Sequence, residues 1–197
     1  MIENWLFVLA ILAVLMIPGP ANAMVASSAY QHGPLKTSLY IPAILVGYLY
    51  AINAWALLIH LFSPIWPGFR GVVHVLSLIW VGWMTFHLYQ AQQLQRYNKG
   101  HPHLHPWKMF TITLKNPKAA LLAAGILPTA TWQSPVNFLL VFVAFIAVAV
   151  PVTFFWIYFG QALLANQLKR ISNKLIYKIT LLLLLLCLIP VWIKLWD

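Results

Sequence analysis

Long apolar runs, each closed by a short cluster of turn-forming or basic residues, constrain this chain more than any other feature. Residues 138–150 carry no charge, no amide and no hydroxyl. Such a run does not alternate between apolar and polar positions, as a membrane barrel strand must. A helix needs about 20 apolar residues to cross the hydrocarbon core of a bilayer. Six stretches reach or approach that length: residues 4–30, 38–62, 69–92, 109–130, 135–166 and 172–196. Composition agrees. Of 197 residues, 62% are hydrophobic and 7% are charged, against roughly 25% charged in an ordinary soluble domain. A globule of this size cannot bury that much apolar surface. A water-soluble enzyme or cytoplasmic binding module is therefore not expected.

The breaks carry the expected signals. They are Gln31-His32-Gly33-Pro34, residues 63–68, 96–106 and 129–135, and the basic run 169–174. The N-terminus has Glu3 and no basic residue before Lys36. A secretory signal wants a positive start, so span one reads as retained. Cys187 is the only cysteine. It cannot form an internal disulfide and reads as packing within a leucine-rich run.

The formal charge is +10, with Glu3 and Asp197 the only acids. Its placement argues against a nucleic-acid footprint. Loops one, three and five hold Lys36, Arg96, Lys99, Lys108, Lys115, Lys169, Arg170, Lys174 and Lys178; the opposite side holds Arg70 and Lys194. Basic loops stay cytoplasmic, which puts both termini outside. Lys174 and Lys178 suit anionic lipid headgroups at the cytoplasmic face.

Three spans plus three spans suggest a repeat, and an odd number per half makes the halves inverted. The expected fold is an all-α integral membrane protein with one domain over 1–197. Residues 1–95 form the first three-helix repeat, 96–107 a cytoplasmic linker and 108–197 the second repeat. Span one is interrupted by Pro18-Gly19-Pro20 and span four by Asn116-Pro117-Lys118. Broken helices in corresponding positions point to a binding site in transporters. Pro42, Pro151 and Pro190 lack polar company and read as simple kinks.

These residues resemble the LysE/RhtB amino-acid exporters. The likeness rests on Pro18-Gly19-Pro20, Asn22 and Gly33, on Gly47, on Gly82-Trp83, and on Asn116-Pro117-Lys118-Ala119 with Leu127-Pro128. It covers the chain in length and span count. The sequence departs from the family pattern at Ala21, where Asn is usual, at His74 and Ser77, and at Thr37-Ser38. Those departures bear on the substrate. Ser27-Ser28-Ala29 with His32-Gly33 looks most like the branch exporting cysteine and O-acetylserine. The resemblance implies a proton-driven exporter in a bacterial inner membrane.

The chemistry fits a zwitterion. A helix broken at the midplane exposes N–H groups at one half-helix and carbonyls at the other. Pro18, Gly19, Pro20, Asn22, Asn116, Pro117 and Lys118 are the candidate substrate-binding residues. Lys118 is the one cation expected well inside a span, where charge is costly. No span interior contains an acid, which favours a neutral amino acid or derivative over a cationic one. His60, His74 and His87 are the titratable candidates for proton coupling. No Walker loop is present, no cofactor is called for, and catalysis is not expected. Gly47 with Ala51, and Ala120 with Ala124, have the spacing for close helix approach, within one chain or in a homodimer. Trp5, Trp66, Trp107, Trp132, Trp192 and Trp196 fall near span ends as an interfacial belt. Trp156, Tyr158 and Tyr48 lie deeper, as path-lining candidates or packing. Alternating His101, His103 and His105 leave a transition-metal exporter as the alternative. A non-transport membrane protein is the other.

Overall fold

A computed structural model describes the backbone over residues 2–90, 105–164 and 182, and side chains over 7–87, 105–162 and 182. The sixth expected span (apart from residue 182), Cys187, Pro190, Trp192, His101, His103 and most of the 96–107 linker lie outside the described residues.

Every regular element among the described residues is helical. In chain order they are α1 (Ile2–Met16), α2 (Pro20–His32), α3 (Pro34–Ser38), α4 (Ile41–Phe62), α5 (Phe69–Gln90), α6 (Pro106–Leu114), α7 (Pro117–Leu121) and α8 (Pro135–Leu164). A π-helical turn, Leu122–Ile126, continues α7, and a 3₁₀ turn, Thr129–Trp132, precedes α8. Proline opens α2, α3, α6, α7 and α8. Its fixed φ suits the first helical position, and the N–H it lacks would be unpaired there anyway. The residue before proline is pushed out of the α region, so each proline also ends what precedes it.

Three helical stretches are long and apolar enough to cross a membrane: Pro34–Phe62, Phe69–His87 and Pro135–Ala162. A bent pair, Phe7–Met16 with Pro20–His32, passes the same test only when the two are taken together, and they meet at 59°. The helix break in this pair falls where Pro18-Gly19-Pro20 stands. The second begins at residue 34 rather than 38. Gly33 alone turns the chain there, with φ +87°, a left-handed value that favours glycine. Thr37 folds back onto this turn. Its hydroxyl donates to the Gly33 carbonyl at 3.0 Å and pairs with buried Ser28 at 3.0 Å.

The fourth stretch is broken at Asn116-Pro117-Lys118, as the motif predicted, and it is more divided than one interruption implies. Residues 109–130 fall into α6, α7 and the π turn, and only Pro117–Ile126 forms a continuous apolar helix, of shorter class. Asn116-Pro117 and Leu127-Pro128 are the two causes. Pro42 falls in the first turn of α4, and Pro151 lies inside an α8 that continues past it.

The core runs along the broken elements. α2 and α1 pack on α8, while α6 and α7 pack on α4 and α5. Close approach needs small residues. A Cβ on Gly160 would lie 2.3 Å from the Ala26 Cβ, and one on Gly47 would lie 2.8 Å from the Thr113 Cβ. Gly47, Ala51, Ala120 and Ala124 are thus committed to packing within the chain. Outer faces remain apolar: Leu76, Ile79, Trp80 and Trp83 on α5 and Leu139, Leu140 and Val143 on α8 are exposed. Contiguous apolar surface of this kind fits lipid rather than water.

Candidate functional site

The site begins at the end of α1. The helix stops at Met16, and the carbonyls of its last turn lose their intrahelical partners. Two side chains take them. Asn22, from the first turn of α2, donates Nδ2–H to the Leu15 carbonyl at 3.1 Å and to the Ile17 carbonyl at 3.0 Å. Lys118 donates from Nζ to the same two carbonyls, with Leu15 at 3.4 Å. A cation at a helix C-terminus meets the negative end of the macrodipole.

Lys118 reaches this point because the second break aims it there. Asn116 caps α7, accepting at Oδ1 from the Lys118 backbone N–H at 3.2 Å. Its own Nδ2–H donates to the Tyr48 hydroxyl at 3.2 Å. Asn116 and Lys118 are each 1% exposed. Lys118 therefore does not snorkel to an interface. Gly19 makes room for it: a Cβ there would lie 3.0 Å from Lys118 Cε and 3.3 Å from Nζ. The two proline motifs meet through one ammonium. Pro18 joins the assembly through its carbonyl, which accepts from the Thr85 hydroxyl on α5 at 3.3 Å.

One expectation is revised by this geometry. The carbonyls freed at the first break do not face an open space. Each has two lone pairs, and each receives Asn22 and Lys118. The N-terminal end of α2 is different: Gly19 caps it with extended backbone and no side-chain acceptor, and Pro20 has no N–H. Ala21 and Asn22 there line a narrow cleft whose other walls include Tyr48 on α4 and Ala149, Thr153 and Trp156 on α8.

Arg70, expected as a loop charge, holds backbone carbonyls instead. It is half-buried; its Nε–H donates to the Ala124 carbonyl at 2.8 Å and its Nη2–H to the Leu127 carbonyl at 3.2 Å. It caps the π turn as Lys118 caps α1. Its position beside a predicted loop hid it, and only the nearby Leu127-Pro128 break hinted at carbonyls to satisfy.

The three histidines separate. His60 and His87 are exposed near the ends of α4 and α5, with the His87 ring 4.4 Å from that of Trp83. His74 is buried against Gly125 of the π turn, where any Cβ would meet its ring within 2.5 Å. Its predicted proton role thus falls beside a break rather than on a free helix face. Of the loop histidines, only His105 lies among the described residues. Its Nδ1 accepts from the Trp107 N–H at 3.2 Å, capping α6. Among the described residues, no group of three His, Cys, Asp or Glu side chains is placed to hold a metal ion.

Trp66, Trp107 and Trp132 are exposed, near helix ends. Trp156 and Tyr48 are buried and border the cleft, and Tyr158 is exposed. No family model, curated protein or solved structure matches the chain.

Proposed function

We propose that this chain is a secondary exporter of small neutral amino acids or their derivatives, of the LysE/RhtB type, driven by the proton gradient across a bacterial inner membrane. The observation that carries this reading is the Lys118 ammonium, buried from the second helix break onto carbonyls freed by the first. A buried cation between two interrupted apolar helices is expensive to keep. Rigid packing needs neither break. In carriers, interrupted helices typically supply the ligands at membrane depth.

The packing pattern supports two inverted three-helix repeats. The broken element of the first half lies along α8, and that of the second half along α4. Each broken helix thus rests on the continuous helix of the other half, as a twofold axis in the membrane plane requires. In this reading the halves rock about the breaks. The substrate ammonium competes with Lys118 for the Leu15 and Ile17 carbonyls.

Reconstitution tests the proposal. Proteoliposomes loaded with labelled alanine, serine, cysteine, O-acetylserine, threonine or leucine are expected to show gradient-driven efflux of at least one. Asn116→Ala and Lys118→Ala are expected to abolish it. Flux of nickel, cobalt or zinc with no amino-acid flux would establish the metal alternative. Absence of any flux would leave a non-transport membrane protein.

A further inference from the structure

The cleft at the start of α2 is lined by two buried donors, the Trp156 indole N–H and the Tyr48 hydroxyl, that meet no acceptor among the described residues. Trp156 is 8% exposed, and its indole N–H has no hydrogen-bond acceptor among the described residues. The ring is held in place by edge contacts with Phe155 and Phe159, at 5.8 and 6.1 Å. Tyr48 is 3% exposed. It accepts from Asn116, and its own proton has no acceptor among the described residues. A buried donor left unmatched is rare and costly in a native structure. Both side chains line the cleft that Ala21 and Asn22 also border. There the first turn of α2 lacks a side-chain cap and presents the positive end of its dipole.

We propose that this cleft, between α2, α4 and α8, is the carboxylate-binding site of the chain. Trp156 Nε1–H and Tyr48 Oη–H donate to the carboxylate oxygens, and the α2 N-terminus supplies the electrostatic bias. Thr153 cannot replace them as a donor, because its hydroxyl already donates to the Ala149 carbonyl at 2.7 Å. Leu15, Val25 and Val152 add aliphatic surface to the wall. The assignment deepens the export reading and rests on it for the identity of the ligand as an amino acid. It separates the two ends of the zwitterion. The ammonium competes at the α1 carbonyls, and the carboxylate lies across the break at the start of α2. Asn116 links the two halves of the site by holding Tyr48 from one side and aiming Lys118 from the other.

The full chain in detergent tests this by equilibrium binding of labelled alanine, serine, threonine, leucine and propionate. Each amino acid is compared with its amide, which lacks the carboxylate. At least one acid is expected to bind, and its amide to bind about tenfold or more weakly, the value of one good charge-assisted hydrogen bond. Trp156→Phe keeps the ring volume and removes the N–H. It is expected to erase most of the acid-over-amide preference, with Tyr48→Phe acting in the same direction. Ala149→Leu fills the cleft without touching a donor and is expected to abolish binding of every probe. Melting of each variant without ligand checks that it folds. Wild-type preference in Trp156→Phe and in Ala149→Leu overturns the site, as does failure of every carboxylate to bind the wild-type chain. Trp156-dependent binding without flux in proteoliposomes would uphold the site and reject export. Flux that Trp156→Phe and Ala149→Leu leave unchanged would uphold export and reject the site.

Discussion

At the scale of single residues, the Lys118 ammonium is held by backbone alone. Among the described residues it has no carboxylate partner; two carbonyls take its place. Carbonyl dipoles lower the cost of a buried charge but do not neutralise it, and a substrate ammonium offers those carbonyls the same chemistry. Lys118→Met keeps the stem and drops the charge. The carbonyls retain Asn22, so the stability change is expected to stay within about 1–3 kcal/mol, read as melting temperature in detergent. Efflux is expected to fall at least about tenfold. Gly19→Ala is the companion test. The new methyl meets the far end of a flexible side chain, so the fold is expected to persist while Lys118 is pushed off its carbonyls and efflux falls. Full efflux in both variants would remove the ammonium from the transport cycle. Lys118, Asn116 and the proline pairs were legible in the sequence because a charge or a breaker inside an apolar run is conspicuous. Arg70 and the Trp156 donor were not. An arginine beside a loop looks like a topology signal, and a tryptophan in an apolar helix looks like packing. Their roles arise from partners 54 and more residues away, or from the lack of one.

At the scale of elements, prolines fixed the boundaries that hydropathy alone blurred. The bend in the first span and the start of α7 fall at the motifs that predicted them. The π turn at Leu122–Ile126 was not readable. In a segment where nearly every side chain is apolar, adding a residue to a turn leaves no shifted stripe to detect. Helix approach was equally hidden at Ala26 and Gly160, which lie far apart in sequence. Their contact sets how closely α2 meets α8, two of the helices that border the cleft. Gly160→Ala would place a methyl 2.3 Å from the Ala26 Cβ. Overpacking of this kind costs about 1–3 kcal/mol. The expected result is a lower melting temperature, with most of the loss recovered by adding Ala26→Gly, because contacting residues couple. A Gly160→Ala protein that melts like the wild type would mean that the helices separate freely there.

At the scale of the whole molecule, the issue is whether the broken fourth element crosses the membrane. From Thr113 onward its contacts advance along α4, beyond the Phe110 ring, which packs on Tyr50. Thr113 lies against Gly47, Asn116 bonds Tyr48, and the Trp132 indole donates to Asn53 Oδ1 at 3.2 Å. Arg70, at the start of α5, holds the carbonyls of Ala124 and Leu127. Residues 113–132 therefore travel from the side of Gly33 toward the side of the α4–α5 loop. A re-entrant hairpin would return to its starting side. The basic residues agree once Arg70 is recognised as a carbonyl cap rather than a free loop charge, since Lys36, Lys108 and Lys115 remain exposed. Single cysteines in a Cys187→Ser background decide the matter, probed on intact cells with a membrane-impermeant maleimide. Ile65→Cys and Val136→Cys, both at exposed positions, are expected to react, and Lys36→Cys and Lys108→Cys only after permeabilisation. The complementary pattern at all four positions would invert the orientation and keep the crossings. Protection of Val136→Cys beside a reactive Ile65→Cys would mean that α6, α7 and the π turn dip in and return. In that case the two halves could not be inverted copies, and the Lys118 contact would join a span to a loop rather than two broken helices related by an axis in the membrane.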